Sequence, residues 1–286
     1  MRRALFAVQL VAVVVALAGC GGDTLSLDPV ADAATKTSQA GSSRVAFQMT
    51  MKGAGQTFSF NGRGIFAYDE LRGSMTMDMS SVVPGSGEAV IELRMLGSMM
   101  YMRMPDVLTG AGGLGQGKKW IGFDLNKTLE ASGLGALDLS QQQQDPSQVL
   151  NLLRTSSTEV KEAGKADVRG TETTRYTAKL DMRKAIEATA DQFGLTKAQS
   201  EDLRRAAETL MKQAGAAMLP VEVFVDDAGL LRRMVMKLSM SIDGKQVSMK
   251  MLTDYFDFGV EVDVHAPPAG QVVDVTDSIA SGAGQG

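Results

Sequence analysis

Cysteine occurs once in the 286 residues, at position 20, so no disulfide can form within the chain. Stability must come from burial alone. Histidine also occurs once, at position 265, in a proline-rich stretch near the end. A Ser-His-Asp triad would have to recruit that residue, and no nucleophile stands at a fixed offset from it. No GxSxG elbow and no HExxH helix is present. The expectation is therefore a protein without catalysis, without metal and without cofactor. Charge of neither sign gathers into blocks: 29 basic side chains are mixed with 33 acidic ones. That excludes the basic face which nucleic-acid binding requires. Beyond the first eighteen residues no apolar run approaches the roughly 20 residues of a spanning helix.

The first residues form a distinct segment. Met1-Arg2-Arg3 is basic, Ala4 to Ala18 is apolar apart from Gln9, and Leu17-Ala18-Gly19-Cys20 closes it. Basic start, short apolar core and small residues describe an export signal. The closing four residues resemble the lipobox of bacterial lipoproteins. There, lipid is attached to the cysteine and cleavage falls just before it. The implied organisation is a signal peptide over 1–19 and a tether over 20–27, lipidated on Cys20. Two or more acyl chains suffice for stable anchoring. The expected location is the extracytoplasmic face of the cell membrane.

Asp28-Pro29 reads as a helix start, and Gly41 stands where that helix would stop. The spacing predicts a helix over 29–40. From Arg44 the period changes to 2. Phe47, Met49 and Met51 alternate with polar residues, as do Phe58 and Phe60. Met75, Met77 and Met79 repeat the pattern, followed by Ile91 and Leu93, then Met100 and Met102. Ile121, Phe123 and Leu125 close this first group. Residues 132–144 read as a loop, and Asp145-Pro146 as the start of a helix. A hairpin is expected at 157–164 and 168–180, then helices at 181–193 and 197–214. After Pro220 the period of 2 returns, with Met236 and Leu238 before the Asp243-Gly244 turn and Met249 and Met251 after it. Clean alternation belongs to antiparallel sheets with one apolar and one wet face. No βαβ rhythm appears. The expected fold is α+β: a large antiparallel sheet with helices over one face, forming a single domain over 28–275 with a loose tail over 276–286.

The residues just named on strands from Phe47 to Met251, without Ile121, Phe123 and Leu125, are sixteen and form the candidate ligand-binding face. The helices offer few and mostly small apolar partners for so wide a sheet, which leaves either tight curling or free apolar volume. Methionine, at 19 residues, supplies much of the face. The runs Met75-x-Met77-x-Met79 and Met99-Met100-x-Met102-x-Met104 could hold Cu(I) through their thioethers. A copper site would gather them at one point with histidine or cysteine support, whereas these keep strand alternation and recur on several strands. Methionine as an adaptable apolar filler fits better.

At this point the sequence resembles the LppX/LprG-type lipoproteins of actinobacteria, which share the fold of the carrier LolA. The resemblance is carried by the lipobox at Cys20, Asp28-Pro29 with Ala40-Gly41-Ser42, Lys118-Lys119-Trp120-Ile121 and Asp145-Pro146 with Leu152-Leu153. It continues through Val168-Arg169-Gly170, Leu219-Pro220-Val221-Glu222-Val223, and Asp254 to Gly259 followed by Ala266-Pro267-Pro268. It implies a curved half-barrel sheet with helices over its concave face and an apolar cavity between them. It further implies an acylated lipid or glycolipid as ligand and a membrane transporter as a further partner. A monomer is expected. The alternative, from another class, is a cell-surface structural or signalling module with a solid core and no lipid cargo.

Overall fold

The computed structural model describes residues 28–53, 55–81, 89–105, 118–131, 156–192, 196–214, 218–242 and 245–283. Cys20, the segments 1–19 and 20–27, and the loop and helix expected over 132–155 lie outside them.

Helix α1 spans Asp28–Gln39 and ends before Gly41, which takes φ +74. The first strands are β1 (Ser42–Gly53), β2 (Gln56–Ala67), β3 (Arg72–Asp78), β4 (Val90–Leu96), β5 (Met99–Arg103) and β6 (Trp120–Asp124). Helix α2 follows at once (Leu125–Ala131), so Leu125 opens a helix instead of closing a strand. Asp124 explains the change. Its carboxylate accepts from the backbone N–H groups of Asn126 and Lys127, at 2.9 and 3.3 Å, as a capping side chain does. In the hairpin β7 (Ser157–Val168) and β8 (Thr171–Asp181), β7 runs four residues further than expected and the turn falls at Arg169-Gly170. Helices α3 (Met182–Gln192) and α4 (Lys197–Ala214) come next, then β9 (Met218–Asp226), β10 (Leu231–Ile242) and β11 (Lys245–Phe256). The chain closes with β12 (Val272–Asp274) and helix α5 (Thr276–Ala283).

Among the described residues twelve strands join one open sheet in the order β12-β6-β5-β4-β3-β2-β1-β11-β10-β9-β8-β7. Every pairing is antiparallel except β12 with β6. Hairpins build each half, and β1 joins β11 at the centre. The fold class is thus α+β with a large antiparallel sheet. Among the described residues no helix is long and apolar enough to cross a membrane.

The core lies where helices meet the sheet. Val30 and Ala33 of α1 and Ala185 of α3 are buried together with Leu180, Val221, Val223, Val225, Leu231 and Met234. Thr37 locks α1 in place: its hydroxyl accepts a 2.9 Å bond from the Leu231 N–H, so the polar group at the centre is satisfied. Leu231 sits at an irregularity between β9 and β10.

Of the tail over 276–286, Thr276–Ala283 forms helix α5. Between β11 and β12 the chain crosses one end of the sheet. Gly259 N–H donates to the Ser42 carbonyl at 3.0 Å, and Arg94 Nη1 donates to the His265 carbonyl at 3.1 Å. Beyond β12, the Thr276 hydroxyl donates to the Asp274 carboxylate at 2.6 Å and accepts from the Asp124 N–H at 3.0 Å. The Thr276 hydroxyl, together with the Thr276 N–H that donates to the same oxygen at 2.9 Å, holds the Asp274 carboxyl below its usual range. Helix α5 then packs on α2. Glycine and serine in this tail suggest looseness locally, but its ties are to residues 152 positions away.

Candidate functional site

Register decides which side chains share a face, because side chains alternate with period 2. Met49 pairs with Phe60 on β2 and with Met251 on β11, and Met251 pairs with Met236 on β10. One row up, Met51 pairs with Phe58 and Met249, and Met249 with Leu238. On the other side, Phe47 pairs with Gly62, Gly62 with Met77 and Met77 with Ile91. Met75 pairs with Leu93, and Leu93 with Met102. Met100 pairs with Met95, and Met79 continues the alternation of β3 just past its end. All sixteen candidates therefore lie on one face, across β10, β11 and β1 to β5. Ile91 is buried and the others are half-buried.

Coverage of this face is graded. Towards β8, β9 and β10 it is covered, with α1 against β9 and β10, α3 against β8 and α4 against β10, and Val221, Val223, Leu231 and Met234 are buried. Across β1 to β5 the side chains remain partly open. Phe66, Gly73, Met75, Leu93, Met95 and Met100 line a cavity of about 70 Å³ there. That is the room of about two waters, too small to enclose an acyl chain. The open apolar surface, rather than this cavity, is the larger feature.

Two glycines shape the floor. A Cβ on Gly62 would stand 1.9 Å from Cε1 of Phe47, and one on Gly73 would stand 2.2 Å from Cδ1 of Phe66. Each ring lies flat across a neighbouring strand at a position with no side chain. We expect Gly62→Ala to tilt the Phe47 ring and cost about 1–3 kcal/mol, as overpacking does. Urea unfolding checks this, and the double variant Gly62→Ala with Phe47→Leu should recover most of the loss.

Phe66, Met95 and Met234 belong to the same face and were not among the candidates. Each continues an alternation already evident, Phe66 after Phe60 and Met95 after Leu93. Their signal was present in the period, but burial singles them out as structural.

The opposite face is polar. Arg233 donates to both carboxylate oxygens of Asp254, at 2.5 and 2.9 Å, and Glu222 accepts from Lys237 at 2.6 Å. Phe224, Val235 and Val168 form a small apolar patch between such pairs. No group of three or more histidine, cysteine or carboxylate side chains suited to a metal occurs among the described residues.

The molecule is thus defined by an open antiparallel sheet, apolar on one side and ion-paired on the other. No family model matches the chain. It is 27% identical over 241 residues to an uncharacterised 31.2 kDa protein of Streptomyces griseus, covering 80% of this chain and 73% of that one. It is 26% identical over 268 residues to a Streptomyces coelicolor protein that carries a provisional lipoprotein name, covering 88% and 78%. Solved structures with a similar course include LppX of Mycobacterium tuberculosis, the protein for which the sequence resemblance is named. It is 12% identical, with a TM-score of 0.46, over 84% of this chain and 100% of that one. LprF of Mycobacterium bovis matches at 14% identity and a TM-score of 0.44, over 85% and 96%.

Proposed function

We propose that this chain is an extracytoplasmic lipoprotein, anchored through lipid on Cys20, that holds the acyl chains of a lipid or glycolipid on its methionine-rich face. One observation carries the reading: cross-strand register lines up sixteen apolar side chains on one face, and fifteen of them stay half-buried. A surface of that kind gains about 25 cal/mol for each Å² that a ligand covers. Thioethers suit a ligand without fixed shape, because methionine has three rotatable bonds and a polarisable sulfur. Release to a membrane transporter is part of the proposal, and no catalytic step is.

The second reading is the surface module without cargo, and the small volume of the 70 Å³ cavity favours it. Mass spectrometry separates the two. The chain is exported from its native host with residues 1–20 replaced by a plain secretory signal, and the purified protein is extracted with organic solvent. Co-purifying lipid near one molecule per chain is the expected result. A folded protein that carries none, and takes up none from vesicles, would overturn the carrier reading.

A further inference from the structure

A second pocket lies away from the methionine face, at the end of the sheet where the β7–β8 turn, the β9–β10 turn and the end of β11 gather. It has a volume of about 300 Å³ and is lined by Val168, Arg169, Thr171, Arg232, Tyr255, Phe256 and Asp257. Two of its walls are guanidinium groups, and each is laid against an aromatic ring. Arg169 stands 3.9 Å above the Phe256 ring, and Arg232 stands 4.9 Å from that of Phe258. A guanidinium stacked by its face keeps its in-plane N–H groups for hydrogen bonding.

Those donors are only partly used. Arg232 donates through Nε to Asp226 at 2.6 Å. Arg169 approaches Asp254 at 3.8 Å, beyond hydrogen-bond reach, and both oxygens of Asp254 already accept from Arg233. The nearby carboxylates are engaged as well: Asp257 with Arg44 at 3.5 Å, and Asp167 with the Gly170 N–H at 2.9 Å. Burial pushes the Tyr255 phenol up, so that wall stays neutral. Arg169 is also held at φ +55, a left-handed backbone that a non-glycine residue adopts at a cost. Asp257, across the pocket, is held at φ +50. Arg169 and Gly170, at φ +55 and +82, are the two central residues of the β7–β8 hairpin turn, which takes positive φ at both, so the turn fixes where the Arg169 side chain starts.

We propose that this pocket binds an oxyanion, a phosphate or carboxylate group, between the free edges of Arg169 and Arg232 with the Thr171 hydroxyl as a further donor. Paired N–H groups of a guanidinium match two oxygens of such an anion. The site is independent of the acyl-chain reading, since it uses other residues on another part of the sheet.

The test uses the exported chain without its lipid anchor and two probes: inorganic phosphate, and phosphatidylglycerol vesicles with phosphatidylcholine vesicles as reference. Arg169→Gln should weaken phosphate binding by about tenfold or more in calorimetry. Lys52→Gln, an exposed cation on β1, should leave it unchanged. Phosphate binding without retention on phosphatidylglycerol identifies a soluble anion. Retention that Arg169→Gln abolishes identifies a lipid headgroup. Both support the site. Binding of neither probe, or equal weakening by Arg169→Gln and Lys52→Gln, overturns it. Circular dichroism confirms that Arg169→Gln folds, and Arg169→Lys, which keeps the charge but not the fork, should recover only part of the affinity.

Discussion

Leu231→Ala should lower the free energy of unfolding by about 3 kcal/mol, within the range that large-to-small core substitutions show. Leu231 has no exposed surface at all. It packs in the cluster that α1 and α3 close over the sheet, with Val30, Ala33 and Val225. Its own N–H is tied to the Thr37 hydroxyl, so the backbone cannot slide to fill the space left by the missing methyls. Interiors pack at crystal density, and a site held on both sides collapses poorly. The comparison that makes this sharp is Leu238→Ala. Leu238 has the same chemistry on the same strand but lies on the half-buried part of the face. It should cost less than half as much. Urea unfolding of both variants gives the answer. Equal costs would mean that the methionine face is as closely packed as the helix-covered core, which would count against an open ligand surface.

Met251→Lys should weaken binding of a fluorescent fatty-acyl probe by about a hundredfold, the discrimination that apolar lipid surroundings impose on an ammonium group. Met251 stands in the middle of a cross-strand row, between Met49 on β1 and Met236 on β10. An acyl chain lying across this row would place methylene groups against the new charge. Without ligand the position is only half-buried, so the lysine can turn its head to water and the fold should survive. Lys250→Gln changes the next residue, which points to the other side of the sheet and is exposed. It should bind the probe as the unmodified chain does. Met251→Leu, which conserves bulk, should lose little. If Met251→Lys binds normally, or if Lys250→Gln is equally impaired, the methionine face is not where acyl chains bind.

Much of this architecture is a local matter of sequence. The alternation from Phe47 to Met51, through Phe58 and Phe60, and on to Met249 and Met251 determined which side chains leave each strand on the same side. Strand pleat enforces a period of 2 whatever the neighbours are. Asp226 to Gly229 likewise marked the end of a strand run, because glycine tolerates the left-handed backbone found at Gly229. Helix α1 ran as its proline and glycine suggested, within a residue at each end. A single cysteine likewise leaves no internal disulfide to form.

Other features depended on contacts between distant residues. The pairing of β1 with β11 brings Met49 beside Met251, some two hundred positions away, and no local pattern encodes that choice. Helix α5 and strand β12 are tied by bonds from the Asp124 N–H to the Thr276 hydroxyl and from Lys118 to the Gly270 carbonyl, in a segment whose composition suggests a loose tail. The pocket of Arg169 and Arg232 forms only because separate turns meet at one end of the sheet. Side-chain period is a property of one strand and can be read along it. Register, coverage and the meeting of turns are properties of pairs of segments, and folding sets them by what each segment finds to bury against.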